Sequence, residues 1–300
     1  MSPDPVRLVL VHGINQQHKD PAALRRAWIE DLERGLGRPG ALADVPVSMP
    51  YYGDALFEAA HHPASGAIAQ GTSADDDRSL AEFLAEGLSE QAAALGISNA
   101  EITTEQERVS AATGVGIAVD QGFPMSRRIN ALVSLIERLS PCRGDLAVRL
   151  LDQAYAYLRK PQASLAVDTL VRPALDAGPM VLVTHSLGTV VSFKLLRRLA
   201  TSGTPVQVPL YVTLGSPLTL ATVQRALGPS FATPTGIRRW INARDPDDLI
   251  SLNRGLGAPL FSTSIENIAD FENPGADAHA IPGYLAHPPV ANAIAAALGV

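Results

Sequence analysis

Short runs of apolar residues alternate with longer amphipathic segments along most of the chain. Buried parallel strands read as nearly continuous apolar runs, whereas helices repeat their apolar positions every three or four residues. Proline cannot donate to a central strand ladder, so Pro46 and Pro50 place the second predicted strand at a sheet edge. The pattern predicts strands over residues 6–11, 45–52, 180–184, 208–214, 237–242 and 260–268.

Helical periodicity fills most of the segments between these strands. Strands that alternate with helices predict an α/β fold, a mostly parallel sheet with helices on both faces. A chain of 300 residues can form this fold as a single domain, 1–300. The predicted helices cover residues 21–36, 80–95, 127–139, 145–158, 165–175, 187–200 and 289–298, with a short helix near Leu220.

Residues 54–140 interrupt this alternation. The segment is rich in Ala, Glu, Gln and Ser and has no convincing strand, so we interpret it as a helical insertion or lid. Glycines such as Gly87 and Gly96 are positions where a covering segment can bend. Its acidic residues argue against deep insertion in a bilayer, which favours a soluble or dispersed substrate over a membrane-embedded one.

The composition narrows the range of functions. With 24 Lys and Arg against 30 Asp and Glu, the net charge is −6, and the absence of a dense basic run argues against nucleic acid as a partner. The single cysteine, Cys142, allows no internal disulfide and is interpreted as a packed thiol. Without a signal-peptide pattern or an apolar run of about 18 residues, we expect a cytoplasmic protein with no integral membrane segment.

The sharpest chemical signal is Thr-His-Ser-Leu-Gly at residues 184–188, where a buried strand passes directly into a helix. A nucleophile elbow places a serine at such a turn, beside a helix N-terminus that stabilises negative charge. At Gly188 a side chain would crowd the strand against the helix. Ser186 is therefore the predicted nucleophile, and the alternative is a serine that only caps the helix.

A second signal is the His12-Gly13 pair that follows the first strand. Glycine lets the backbone turn, so that the amide of Ile14 can join that of Leu187 at a substrate oxyanion. Alternatively, His12 makes only a structural hydrogen bond. Combined with the elbow, the pair predicts an oxyanion hole formed by Ile14 and Leu187.

A serine nucleophile needs a histidine base and a carboxylate that orients it, in the chain order serine, acid, histidine. His279 is preferred over His287 as the base, because it lies in the loop after the last predicted strand. Asp245, Asp247 and Asp248 all follow the preceding strand, where catalytic groups gather. Asp248 is preferred because the apolar pair after it can anchor the loop, and Asp245 comes second.

These motifs occur together in a known family. They are His12-Gly13, Thr-His-Ser186-Leu-Gly, Leu214-Gly-Ser-Pro217, Trp240-x-Asn242-x-x-Asp245-x-x-Asp248, and His279 with Tyr284-Leu285. The chain resembles bacterial α/β-hydrolase proteins of the lipase and esterase type, related to a group of lipases and deacylases with an Asp-Pro-Val loop. It departs from their pattern at Thr184, where they have glycine, and at Leu249, where they have proline.

The resemblance implies a serine hydrolase that cleaves a carboxylic ester or thioester through an acyl-enzyme. It implies Ser186, Asp248 and His279 as the triad, and Ile14 and Leu187 as oxyanion donors. The chemistry needs no metal or organic cofactor, and the substrate would be a small-molecule or lipid acyl ester. Two alternatives stay open, a non-catalytic module with this fold and an acyltransferase.

Two further motifs are rejected as ligand sites. Residues 35–40 match the glycine pattern of dinucleotide-binding turns, but they follow a helix instead of a strand. His61 and His62 are metal-ligand types, but Pro63 follows at once and a surface loop is the better interpretation.

Overall fold

Six parallel strands form one sheet in the part of the chain that the structure, a computed structural model, describes: residues 5–61, 73–112, 123–140, 143–204, 206–269, 273 and 277–300. The predicted α/β class with a parallel sheet is thereby confirmed. Along the sheet the strands lie in the order β2-β1-β3-β4-β5-β6. They are β1 (Arg7–Val11), β2 (Val47–Ser48), β3 (Met180–His185), β4 (Leu210–Leu214), β5 (Trp240–Ala243) and β6 (Glu266–Ile268).

Helices cover both faces of this sheet. They are α1 (Pro21–Leu36), α2 (Gly53–His61), α3 (Ser73–Ala94), α4 (Asn99–Ala112), α5 (Phe123–Leu139), α6 (Arg143–Arg159), α7 (Pro161–Asp176), α8 (Leu187–Thr201), the 3-10 helix η1 (Pro217–Thr219), α9 (Ala221–Leu227), α10 (Ile281–Ala286) and α11 (Pro288–Leu298). One core joins the sheet to α1, α10 and α11, and the other joins it to α2 through α9. None of the described helices combines the length and apolar character that crossing a membrane requires.

The two cores explain the continuous apolar runs of the central strands. Successive side chains of a strand point to opposite faces of the sheet. Leu8 and Leu10 accordingly belong to the core under α1, α10 and α11, while Val9 and Val11 belong to the other. The two-residue strand β2 lies at an edge, as its prolines predicted.

Several elements differ from the predicted ones. The last strand begins at Glu266 instead of residue 260, because a turn in which the amide of Ser264 bonds to Ser262 Oγ comes first. Helix α10 was not predicted, since six residues are too few to show helical periodicity. Helix α4 was missed because it is polar on most of its surface.

The segment 54–140 contains helices and no strand where it is described, and it is bonded to the start of α9. Glu90 of α3 accepts hydrogen bonds from the amides of Ala221 (2.6 Å) and Thr222 (2.8 Å). A carboxylate is favourable there because the first amides of a helix lack intrahelical acceptors. Cys142, His62 and the side chain of His61 lie outside the described residues.

Candidate active site

Ser186 lies at the turn between β3 and α8, with φ of 53°. Residues other than glycine rarely adopt a positive φ, and the strain persists only where the surrounding structure imposes it. The Ser186 amide donates to the carbonyl of Leu214 at 3.0 Å, which ties the turn to β4. At Gly188 an added Cβ would clash with the carbonyl oxygens of Val11 and His12, so α8 can approach β1 only with glycine at this position.

Thr184 fits this turn, although the proteins that the motifs resemble have glycine here. Its side chain is fully buried, and its hydroxyl donates to the carbonyl of Val212 on β4 at 3.0 Å. The hydroxyl is therefore satisfied by the neighbouring strand and does not obstruct the turn.

The loop after β1 lies directly beside Ser186. An added Cβ on Gly13 would stand 2.6 Å from Ser186 Cβ, so the two backbones are in close contact. Ile14, which follows, is buried. Leu187 is the first residue of α8, and the amides of a helix's first turn have no intrahelical acceptor. The structure thus brings both predicted oxyanion residues next to the serine.

His12 is a structural residue of this loop. Its Nε2 accepts from the amide of Tyr52 at 3.1 Å, so the proton is on Nδ1, which lies 2.9 Å from the carbonyl of Gly13. The Tyr52 hydroxyl donates to the His12 carbonyl, and the two rings stack with centroids 4.0 Å apart. Burial lowers the pKa of His12 to about 4, so the ring is neutral at pH 7.

His279 and Asp248 form a buried pair. Nδ1 of His279 lies 2.8 Å from Oδ2 of Asp248, and the backbone amide of Ile250 donates to Asp248 Oδ1 at 2.9 Å. Burial would raise the pKa of Asp248, but the charge and hydrogen bonds of its neighbours outweigh burial and hold it below its usual value. His287 is instead the N-cap of α11, where its carbonyl accepts hydrogen bonds from the amides of Val290 and Ala291.

Asp245 and Asp247 have other surroundings. The Asp245 carboxylate accepts from the amides of Asp247 at 2.8 Å and Asn273 at 2.6 Å, so it joins the loop after β5 to the chain after β6. Asp247 is exposed. Of the three candidate acids, the structure therefore brings Asp248 to His279.

The pair lies over the strand that neighbours Ser186. Gly215 continues β4 with φ of 53°, and an added Cβ would stand 2.8 Å from Asp248 Oδ2 and 3.0 Å from His279 Nδ1. The ring of His185, the residue before Ser186, has its centroid 4.6 Å from that of His279. Loops from β1, β3, β4 and β5 thus meet at the carboxyl edge of the sheet, where α/β proteins bind their ligands.

His185 and Tyr284 are site residues to which the sequence motifs gave no role. Nε2 of His185 donates to the backbone carbonyl of His279 at 2.9 Å. Burial, and next the charge of His279, lowers the pKa of His185 to about 3, so it stays neutral. The hydroxyl of Tyr284 donates to Asp248 Oδ2 at 2.7 Å. Both contacts join distant parts of the chain, so no local pattern indicates them.

Two polar atoms of the site make no hydrogen bond among the described residues, Ser186 Oγ and His279 Nε2. Ser186 is 1% exposed and His279 is 7% exposed. Arg143 and Leu146, at the start of α6, border the small depression beside Asp248 and His279. Helix α6 therefore limits access to the pair.

No protein-family model, curated protein or solved structure matches the chain. Function must therefore be inferred from the geometry of the site.

Proposed function

We propose that the protein is a serine hydrolase of the α/β-hydrolase type that cleaves a carboxylic ester or thioester. The observation that carries this proposal is the buried Asp248–His279 pair at the same sheet edge as Ser186, a serine held at a strained turn into a helix. Structural histidines and serines in an interior normally have their polar atoms bonded. Here Ser186 Oγ and His279 Nε2 make no hydrogen bond to each other or to another described residue, so neither atom is engaged in a structural bond.

The pair supports a definite proton path. A carboxylate only accepts hydrogen bonds, so His279 Nδ1 carries the proton and Nε2 of the neutral ring is the basic atom. His279 Nε2 takes the proton of Ser186 as Oγ attacks the acyl carbonyl, and Asp248 stabilises the imidazolium. That proton then goes to the leaving alcohol or thiol, and a water, deprotonated in the same way, releases the acid.

The oxyanion formed in both steps needs donors that are already in place. The amide of Leu187, at the start of α8, and the amide of Ile14, beside Ser186, are the proposed donors. The chain order Ser186, Asp248, His279 and the position of all three at the carboxyl edge of a parallel sheet also support the hydrolase type.

A fluorophosphonate probe tests the proposal. We expect a covalent adduct on Ser186 that is lost in Ser186→Ala and retained in Ser216→Ala. Ser216 is a matched control, because it too is a buried serine after a sheet strand, but its hydroxyl is bonded to Thr189 Oγ1 and to the Leu218 amide. A folded wild-type protein that forms no adduct would instead favour a non-catalytic binding module.

A further inference from the structure

Tyr284 links the two aspartates of the site. It lies in α10, five residues after His279, and its side chain is fully buried. Its hydroxyl donates to Asp248 Oδ2 at 2.7 Å and accepts from the backbone amide of Asp245 at 3.0 Å. The tyrosine oxygen is thus held by the loop after β5 while its proton points to the carboxylate.

Asp248 is consequently bonded through both oxygens. Oδ2 accepts from His279 Nδ1 and from Tyr284, and Oδ1 accepts from the amide of Ile250. With three donors at 2.7 to 2.9 Å, rotation of the carboxylate would break at least one bond. Oδ2 divides its negative charge between two donors, so the strength of one contact affects the other.

We propose that Tyr284 is a positioning residue, which fixes the Asp248 carboxylate and limits how strongly its Oδ2 attracts the proton of His279. This inference rests on the proposed hydrolase function. Removal of the hydroxyl leaves His279 as the main donor to Oδ2. The carboxylate then stabilises the protonated imidazolium more strongly, so the ring loses its proton only at higher pH.

The variant Tyr284→Phe keeps the buried ring and removes only the hydroxyl. Because the base must be neutral to act, the rate of fluorophosphonate labelling at Ser186 is expected to rise with pH. In Tyr284→Phe we expect the midpoint of this rise to lie at a pH about half a unit or more higher. We also expect the plateau rate to be about tenfold lower, because the Asp248–His279 pair is held less firmly. A purely structural role would lower the rate equally at all pH values.

The substitution Tyr284→Phe leaves the charged groups near the Asp248–His279 pair unchanged. The matched control is Tyr157→Phe, since Tyr157 is equally buried and its hydroxyl also donates to a buried aspartate, Asp168, at 2.7 Å. It should leave the midpoint unchanged. Among the described residues, the titratable and charged groups that face the pair or Tyr284 are His185, Asp245, Asp247, Asp277, Arg143 and Arg244.

The experiment measures labelling rate against pH for wild type, Tyr284→Phe and Tyr157→Phe, with circular dichroism at each pH. A midpoint in Tyr284→Phe that is unchanged or lower overturns the inference while the hydrolase proposal stands. A wild-type protein unlabelled at every pH overturns the hydrolase proposal itself. If phenylalanine prevents folding, 3-fluorotyrosine at the same position, a stronger donor, should move the midpoint to lower pH, and an unchanged midpoint overturns the inference.

Discussion

Ser186 and His279 each bury one polar atom that no described residue satisfies. A buried polar group without a partner costs about 1 to 3 kcal/mol, so each such atom calls for an explanation. The neighbouring histidines differ in this respect. His12 and His185 are bonded to backbone groups. Among the three histidines that surround the serine, the unsatisfied atom therefore distinguishes the proposed base from its structural neighbours.

The two candidate aspartates should respond differently to loss of charge. In Asp248→Asn the side chain can no longer hold the productive tautomer of His279, and turnover should fall by about four orders of magnitude. Asp245→Asn should cost much less, because this side chain bonds to the backbone amides of Asp247 and Asn273 and not to His279. Fluorophosphonate labelling rates measure both effects. Equal losses in two folded variants would contradict the assignment of Asp248.

At the level of elements, local patterns predicted the central strands and the loops that follow them. The buried runs of β1, β3 and β4 are continuous in sequence, so their positions follow from the residues alone. The choice between Asp245 and Asp248 depends on a contact with His279, which is 31 residues beyond Asp248. Short or polar helices such as α4 and α10 give too weak a periodic signal to be predicted.

Helix α6 borders the candidate site. Leu146 borders the depression beside Asp248 and His279, and Gln153 Nε2 lies 3.5 Å from Asn15 Oδ1 in the loop after β1. The helix thus touches both sides of the candidate site. The prediction that residues 54–140 form a lid remains untested, and α6 follows directly after that segment.

Truncation of Leu146 should open access to the site. We expect Leu146→Ala to increase the labelling rate for a long-chain fluorophosphonate more than for a short-chain one, because only the larger probe needs the space. Leu165→Ala is the control, since Leu165 on α7 is 68% exposed and does not border the depression. The measured quantity is the ratio of the two rates, and a ratio equal to that of wild type would show that Leu146 does not limit access.

For the whole molecule, the segment 54–140 is part of the main core. Phe83, Leu88, Leu132 and Ile136 are buried in the same cluster as Val9 of β1. Removing these helices would expose apolar surface on the helices that they contact, such as α6 and α9, and each large buried side chain contributes roughly 1.5 to 3 kcal/mol. Point substitutions are therefore better probes of this segment than deletions.

The stability of the whole molecule should depend on pH through two buried histidines. The pKa of His12 is lowered to about 4 and that of His185 to about 3, whereas an unfolded histidine titrates near 6.5. Below about pH 6.5 the unfolded chain binds protons that the native state excludes. Above about pH 6.5 the free energy of unfolding has its full value. It decreases as the pH falls towards the pKa values that the two histidines have in the native state.

Urea unfolding at pH 7 and pH 5 measures this effect. The free energy of unfolding should be lower at pH 5 than at pH 7 by about 2 kcal/mol for each of the two histidines. Exchange of either residue for glutamine, in His12→Gln or His185→Gln, should weaken the pH dependence. His18→Gln should leave it unchanged, because His18 is exposed. A wild-type stability that is equal at the two pH values would contradict the prediction.

The positive φ of Ser186 also bears on how this sequence can change over evolutionary time. Glycine tolerates such a backbone without strain, so Ser186→Gly would relieve a conformational cost of about 1 to 3 kcal/mol. A chain under selection for stability alone would gain from that exchange, and it would lose the hydroxyl. Under the proposed hydrolase function, a serine kept at this position trades stability for chemistry. Under relaxed selection for activity, residue 186 is therefore among the first positions where we expect the sequence to drift.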